Sequence, residues 1–151
     1  MARHPSESEE FLVTRILAYA REYREGIAFS AGLSDPDEPA IAVRDLTGAL
    51  ESWIDIGLPD AARLHKASKA SPRVAVYTHK DPAQLLQRLG NERIHRAGAL
   101  ELYAIDRRLV AALAARLERR LAFGLSINEG DVYLSIGTDT LTGGIVRHRL
   151  E

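Results

Sequence analysis

Residues 50–78, LESWIDIGLPDAARLHKASKASPRVAVYT, decide the fold of this chain. Apolar and polar side chains alternate over 50–56, which is typical of a β-strand because successive strand side chains point to opposite faces. Asp60 is suited to cap a helix over 61–70, and a second apolar run follows at 73–78. Strand, helix and strand within about 30 residues form a βαβ crossover, so the two strands are expected to lie parallel in one sheet.

A helix and two short strands are predicted before this stretch. Ser6 stands three residues before Glu9, the spacing of a capping box, and apolar residues then recur at helical spacing as far as Tyr23. Gly26 is expected to end that helix. After residue 78, helical and extended patterns continue to alternate. The elements predicted outside 50–78 are helices near 7–24, 82–89 and 106–120, and strands near 27–30, 41–43, 100–105, 121–127, 132–136 and after Gly144, with a hairpin turn at 128–131.

The composition is that of one globular domain. The chain has 151 residues, of which 46% are hydrophobic and 27% charged. A chain of this size buries roughly 70% of the surface that its unfolded form exposes, which is enough for a core. It has no cysteine, which excludes disulfides and thiolate sites and agrees with a reducing compartment. It also has no run of about 18 apolar residues and no apolar signal core. We therefore expect a cytoplasmic protein without a membrane partner.

Charge is distributed unevenly, although the net charge is −1. Residues 1–60 carry 12 acidic and 5 basic side chains, whereas residues 61–123 carry 5 acidic and 13 basic ones. A basic segment of this kind is typical of a surface that contacts nucleic-acid phosphates, and equally of a solvated helical face. The candidate nucleic-acid-binding residues are Arg63, Lys66, Lys69 and Arg73, with Lys80, Arg88, Arg93 and Arg96 beside them.

Several enzyme classes are excluded by the motifs that the sequence lacks. It contains no Walker A loop, no G-x-G-x-x-G, no G-x-S-x-G elbow and no H-E-x-x-H. None of the five histidines is paired with another at i, i+4, so a zinc site led by histidine is not expected.

What remains is a set of carboxylates around one predicted strand. Asp37 and Glu38 precede the strand near 41–43, and alternation places Glu51 and Asp55 on one face of the next strand, with Trp53 between them. Carboxylate oxygens are what Mg²⁺ or Mn²⁺ requires, and such an ion activates water and stabilises charge on a scissile phosphate. Lys66 on the following helix would neutralise charge on that phosphate. Solvent-exposed surface acids are the alternative interpretation.

Several blocks of the sequence resemble the bacterial YaeQ family. The resemblance runs the length of the chain and is clearest over 2–70, where the order and spacing of the blocks also match. It implies a compact variant of the PD-(D/E)XK, restriction-endonuclease-like fold, whose core is a helix, a three-stranded meander, a helix and a strand. The blocks are Ala2–Glu7, Phe29–Ser34, Asp37–Pro39, Asp45–Gly48, Trp53–Asp60 and Val76–Thr78.

The expected fold is therefore a single α/β domain over 1–151. Its central mixed β-sheet is flanked by helices and has a C-terminal β-hairpin. Met1 stands where the family has an interior residue, so we expect the domain to lack the family's N-terminal strands.

The resemblance also implies roles for individual acids. Glu10 resembles the acid of the superfamily's front helix, Asp37 or Glu38 that of its second core strand, and Glu51 that of its third. Asp55 is a further candidate ligand on that strand. The implied metal ligands for Mg²⁺ or Mn²⁺ are thus Glu10, Asp37, Glu38, Glu51 and Asp55.

One position departs from the superfamily motif. The lysine two residues after the strand acid is replaced by Trp53, and Lys66 on the next helix is the natural substitute. The resemblance therefore implies a metal-dependent nuclease with Glu38, Glu51 and Lys66 as its catalytic residues. Trp53 favours an alternative, a non-catalytic binding or regulatory module on a nuclease-like fold. Its acids would pair with Arg15, Arg44 or Arg63.

Overall fold

The computed structural model describes residues 9–30, 38–90, 92–116, 124–128, 130–136 and 139–148. In chain order its elements are α1 (Glu9–Glu22), β1 (Ile27–Phe29), β2 (Ile41–Arg44), β3 (Leu50–Ile56), α2 (Ala61–Ala70), β4 (Arg73–Thr78), α3 (Pro82–Gly90), a 3₁₀ turn (Ala97–Ala99), β5 (Glu101–Ile105), α4 (Arg107–Ala115), β6 (Gly124–Asn128), β7 (Asp131–Ile136) and β8 (Asp139–His148). Helices and strands alternate as predicted. Ser6, and with it the predicted capping box, lies outside the described residues.

The described strands form one mixed sheet in the order β1-β2-β3-β4-β5-β8-β7-β6. β1, β2 and β3 are an antiparallel meander, and β3, β4 and β5 are parallel neighbours. The predicted order of helix, three-stranded meander, helix and strand is therefore confirmed, as is the βαβ crossover. The predicted C-terminal hairpin is β6 and β7, and β8 joins it to β5.

Two apolar cores lie on the two faces of the sheet. Val13 and Leu17 of α1 pack with Leu109 of α4 in one core, which we call the α1 core. Leu64 of α2 packs with Leu85 of α3 in the other, the α2 core. β3 and β4 contribute to both, because alternate side chains of a strand point to opposite faces. None of the described helices is long and apolar enough to cross a membrane.

The register between β2 and β3 contains one irregularity. Val43 pairs with Ser52, but the next residue, Arg44, pairs with Leu50. Glu51 is therefore an extra residue in β3, as in a β-bulge. An extra residue reverses the facing of the residues that precede it.

This bulge makes one prediction on β3 wrong. Leu50 packs with Trp53 against the α2 core rather than facing away from it. Glu51 forms an ion pair with Arg24, just after α1 (Nη2 to Oε2, 3.3 Å). Asp55 lies beneath α2 instead. Glu51 is therefore paired with Arg24 at the bulge, whereas Asp55 is paired with Arg63 at the other end of β3.

Two element boundaries differ from the prediction. α4 ends at Ala115, and residues 117–123, where the helix was expected to continue and β6 to begin, lie outside the described residues. β8 begins at Asp139, well before the two glycines that were expected to precede it. Gly143 instead lies inside β8, where the strand packs against α4. A Cβ on Gly143 would lie 2.8 Å from Leu109 Cβ. This glycine lets α4 approach the strand closely rather than starting the strand.

Candidate functional site

Most of the predicted acids approach one edge of the sheet. β3 and β4 are parallel, with Ile56 opposite Tyr77, so their C-terminal ends lie side by side. α1 begins at this edge, because Glu10 Oε2 is 3.5 Å from Nε2 of His79, the residue after β4. β2 runs antiparallel to β3, so the chain before β2, including Glu38, arrives there as well. We call this region the β3–β4 edge.

Asp55 is the buried acid of the β3–β4 edge, with a side chain only 3% exposed. Arg63 holds both of its carboxylate oxygens, donating from Nε to Oδ2 at 2.7 Å and from Nη2 to Oδ1 at 3.0 Å. The same Nη2 also donates to the carbonyl oxygen of Glu38 at 2.6 Å. The guanidinium lies 5.3 Å from the ring centroid of Trp53. Such a bidentate arginine–carboxylate pair is strong and geometrically specific.

The start of α2 places Arg63 at this position. Asp60 is the N-cap of α2, as predicted, and its Oδ1 accepts the Arg63 backbone N–H at 2.8 Å. The chain reaches that cap from β3 through Gly57, whose φ of +92° favours glycine. The local turn and cap are readable from the sequence. The sequence names Arg63 as one of three possible partners of the acids, but not which acid it binds, because that depends on side-chain directions across the turn.

The remaining predicted ligands do not join Asp55. The carboxylate of Glu38 is half-exposed and lies 4.0 Å from Arg44 Nη2. Glu51 is four residues from Asp55 along β3, about 13 Å at the usual rise of a strand. Asp37 lies outside the described residues. The structure thus places Glu10, Glu38 and Asp55 at one edge and Glu51 at the other end of the strand.

The described residues of this edge do not fit Mg²⁺ or Mn²⁺ as they stand. In the part of the chain that the structure describes, no three His, Cys, Asp or Glu side chains lie close enough together to hold a metal ion. Both oxygens of Asp55 already accept hydrogen bonds from Arg63. The buried indole Nε1 of Trp53 has no described partner, but it is a donor, whereas a cation requires acceptors.

His79 is a buried member of the same edge. Its Nδ1 lies 3.1 Å from Thr14 Oγ1, and its Nε2 faces Glu10. Burial lowers the pKa of His79, and the opposing effect of Glu10 is smaller. The imidazole is therefore neutral near pH 7 and fastens α1 to the end of β4.

The predicted basic residues divide into two groups. Arg63 and Arg73 are both bound to carboxylates. Lys66 and Lys69 are exposed on α2. The 92–96 segment lies beside this helix, because the His95 N–H donates to His65 Nδ1 at 2.9 Å, and Arg96 Nη2 donates to the carbonyl oxygens of Ser68 and Ser71. We call the surface formed by Lys66, Lys69, Arg93 and Arg96 the α2 face.

A second charged cluster lies at the opposite edge, where β4 begins. Arg73 donates to both oxygens of Glu22 at 2.6 and 3.0 Å, and to both oxygens of Glu101 at 2.7 and 3.0 Å. It also approaches Ser52 Oγ at 3.4 Å. All five N–H donors of this guanidinium are therefore engaged.

Two tyrosines extend this cluster. The Tyr77 hydroxyl donates to Glu22 and accepts from Arg21 Nη1 at 2.6 Å. The Tyr103 hydroxyl donates to Glu101 at 2.6 Å. No motif indicates this arrangement, because its members are spread over α1, β4 and β5. We call Arg21, Glu22, Arg73, Tyr77, Glu101 and Tyr103 the Arg73 cluster.

The hydrogen bonds of the Arg73 cluster shift its titrations. Burial alone would raise the pKa of Glu22, but the hydrogen bonds from Arg73 and Tyr77 outweigh it and hold that pKa below its ordinary value. The hydrogen bond from Arg73 likewise lowers the pKa of Glu101. Burial and the neighbouring Glu22 raise the pKa of Tyr77 far above its usual range. Near pH 7 the two glutamates are charged and the tyrosine is neutral.

The architecture is shared with solved bacterial α/β proteins. The crystal structure of the YaeQ protein from Pseudomonas syringae has a TM-score of 0.83 and 30% identity, covering 100% of this chain and 84% of that chain. The YaeQ protein from Xanthomonas axonopodis pv. citri has a TM-score of 0.80 and 29% identity, covering 100% of this chain and 86% of that one. The predicted fold class is confirmed.

Sequence comparison identifies the family. The family model described as YaeQ protein matches residues 1–143, and this chain belongs to the YaeQ family. The Uncharacterized protein YaeQ of Escherichia coli (strain K12) is 30% identical over 136 residues, which are 89% of this chain and 75% of that protein. The Uncharacterized protein YaeQ of Salmonella typhi is 30% identical over 142 residues, 93% of this chain and 78% of that protein. None of these names states an activity.

Proposed function

We propose that this chain is a non-catalytic module that binds nucleic acid through phosphate contacts on the α2 face. The observation that carries the proposal is the pair formed by Asp55 and Arg63. Arginine, rather than a metal ion, satisfies the buried acid of β3 in this arrangement. Asp55 then stabilises the fold, and the exposed cations of α2 beside it bind the nucleic acid.

The charge of the α2 face supports a polyanionic partner. α2 carries no acidic residue, and Lys66 and Lys69 are exposed on it. Arg93 and Arg96 are exposed on the adjoining segment, where Glu92 is the acidic neighbour. Cations placed in this way attract the phosphates of a nucleic acid whatever its base sequence, and their contribution to the binding affinity weakens as the salt concentration rises. Since the chain is only 6% aromatic, base stacking is not expected to add much.

Binding is tested by fluorescence anisotropy with short labelled duplex DNA, single-stranded DNA and duplex RNA over a range of salt concentrations. The double variant Lys69→Gln/Arg93→Gln is expected to bind more weakly and to lower the slope of log K against log salt by about 2. Arg107→Gln/Arg108→Gln is the matched control, because these exposed arginines lie on α4 on the other side of the sheet. No binding to any of these nucleic acids, or equal losses in both variants, contradicts the proposal.

A metal-dependent nuclease is the second candidate. It is favoured by the location of Glu10, Glu38 and Asp55 at the same edge of the sheet, with Asp37 next to Glu38 in the sequence. In this candidate Arg63 would have to release Asp55 to Mg²⁺ or Mn²⁺, and Lys66 would be the charged helper on α2. Glu51 would take no part, since it lies at the other end of β3.

Calorimetric titration with Mn²⁺ separates the two candidates. The binding module predicts no Mn²⁺ uptake by wild type. The nuclease predicts uptake that is lost in Asp55→Asn and kept in Glu51→Gln, which differ only in the position of the removed charge. Circular dichroism shows whether each variant is folded. Uptake with that dependence, followed by cleavage of nucleic acid, would replace the first proposal by the second.

A further inference from the structure

A cleft of about 600 Å³ opens beside the Arg73 cluster, at the opposite edge of the sheet from Asp55. Its walls come from the end of α1, the starts of β4 and β5, the end of β8 and the hairpin of β6 and β7. The size falls within the usual range of small-molecule sites. The proposed function on the α2 face does not involve this cleft.

The charges around this cleft do not cancel. Arg21 and Arg73 balance Glu22 and Glu101, the two acids of the Arg73 cluster. Arg147 of β8, opposite Tyr103 in the sheet, lines the same cleft and adds one positive charge. Its side chain is exposed, and its charge contributes to the lowered pKa of Glu101. Counted over the Arg73 cluster and the described lining residues, the cleft therefore has one more positive than negative side chain.

The guanidinium of Arg21 is held in a fixed position by its neighbours. Its guanidinium lies 4.2 Å from the ring centroid of Tyr103. The Tyr103 ring stacks on the Tyr77 ring, with 4.8 Å between the two centroids. The hydrogen bond to the Tyr77 hydroxyl fixes one end of the group. The side chain remains 27% exposed and lines the cleft. A guanidinium ordered in this way loses little entropy when it binds a carboxylate or a phosphate.

Part of the lining is apolar. Ile145 of β8 is buried against the α1 core and Ile127 of β6 packs partly against it, and both also line the cleft. A ligand that reaches them must have an apolar part next to its charged group.

We infer that this cleft binds a small organic anion, in which a phosphate or carboxylate contacts Arg21 and Arg147 and an apolar body contacts Ile127 and Ile145. The inference is independent of nucleic-acid binding, since the α2 face lies on other elements. Phosphate and carboxylate share the required chemistry, and the test distinguishes them.

The test uses phenyl phosphate, benzoate, benzyl alcohol and inorganic phosphate as probes, with backbone amide NMR shifts as the readout. We expect phenyl phosphate or benzoate to shift the amides of Gly130, Ile145 and Arg147, and the stronger of the two identifies the anionic group. Arg147→Gln should weaken that binding about tenfold, as expected for the loss of a charge-assisted hydrogen bond. Arg108→Gln removes the same charge elsewhere and should leave it unchanged.

Several results overturn the inference. No shift at the cleft with either anion at millimolar concentration rejects the site, and so does equal binding of neutral benzyl alcohol. Inorganic phosphate binding as tightly as phenyl phosphate rejects the apolar part. An unchanged affinity in Arg147→Gln rejects the assigned residue. If Arg147→Gln does not fold, Arg147→Lys keeps the charge without the bidentate geometry, and unchanged binding in that variant also counts against the arginine.

Discussion

At the scale of single residues, Arg63 is the counter-charge of a buried acid. Removing it in Arg63→Ala leaves Asp55 without a partner beneath α2. Because an uncompensated buried carboxylate is costly, we expect this variant to lose about 3 kcal/mol of unfolding free energy at pH 7. Urea denaturation followed by circular dichroism measures the loss.

The matched control is Lys69→Ala, which removes a cation from the exposed side of the same helix. It should change the unfolding free energy by less than about 0.5 kcal/mol. The double variant Arg63→Ala/Asp55→Asn should recover part of the loss, since the Asp55 carboxylate no longer carries a charge. Equal effects of Arg63→Ala and Lys69→Ala would show that the pair with Asp55 contributes no stability.

At the scale of elements, the Arg73 cluster ties the end of α1 to the starts of β4 and β5. The Glu22 side chain is only 7% exposed, and its pKa is lower in the folded chain than its ordinary value of 4.5. The stability that this carboxylate contributes is therefore present above pH 4.5 and is lost as the pH falls through the folded pKa. We expect the unfolding free energy of wild type to fall below about pH 5 more steeply than that of Glu22→Gln.

Urea titrations at neutral and acidic pH, at constant ionic strength, measure this difference in slope. Glu51→Gln is the control, because the Glu51 side chain is 40% exposed and forms a surface ion pair with Arg24. Its pH dependence should match that of wild type. Parallel curves for wild type and Glu22→Gln would contradict the assigned titration.

At the scale of the whole molecule, the two cores share one sheet. Ile54 belongs to the α1 core and Trp53, its neighbour on β3, belongs to the α2 core. Neither core can lose β3 without disrupting the other, so we expect one cooperative unfolding transition. Trp53 is the only tryptophan, and its fluorescence reports the α2 core. Its urea midpoint should coincide with that of far-ultraviolet circular dichroism, and separate midpoints would indicate two independently unfolding parts.

The sequence alone predicted most of the elements and one decisive feature of their arrangement. Periodicity, caps and turn residues depend on a few neighbouring positions, so local sequence patterns were enough to predict α1, α2, β3 and β4. The parallel pairing of β3 and β4 followed from the short crossover between them. The predicted element boundaries were wrong where packing between distant elements matters. Gly143 was expected to precede a strand, but it lies inside β8, where the absence of a side chain allows α4 to pack closely.

The candidate site was predicted less well. Glu10, Glu38 and Asp55 lie at the same edge of the sheet without forming a cluster, and Glu51 was included because strict alternation places it on the face of Asp55. Alternation does not account for distance along the strand: Glu51 lies four residues before Asp55, at the bulge opposite β2. The alternative with arginine partners named Arg63 and Arg44, but the spacing of the acids did not show that Arg63 binds Asp55.

Local order along the chain thus determined the α/β class, the crossover and the residues that begin and end its helices. Only the tertiary structure decided that Arg63 satisfies Asp55, that Glu51 pairs with Arg24, and that Arg73 joins Glu22 to Glu101 beside a cleft. The physical reason is range. Caps and periodicity depend on neighbours a few residues apart, whereas charge pairing depends on distances between side chains that are remote in sequence and are brought together by strand register and helix packing.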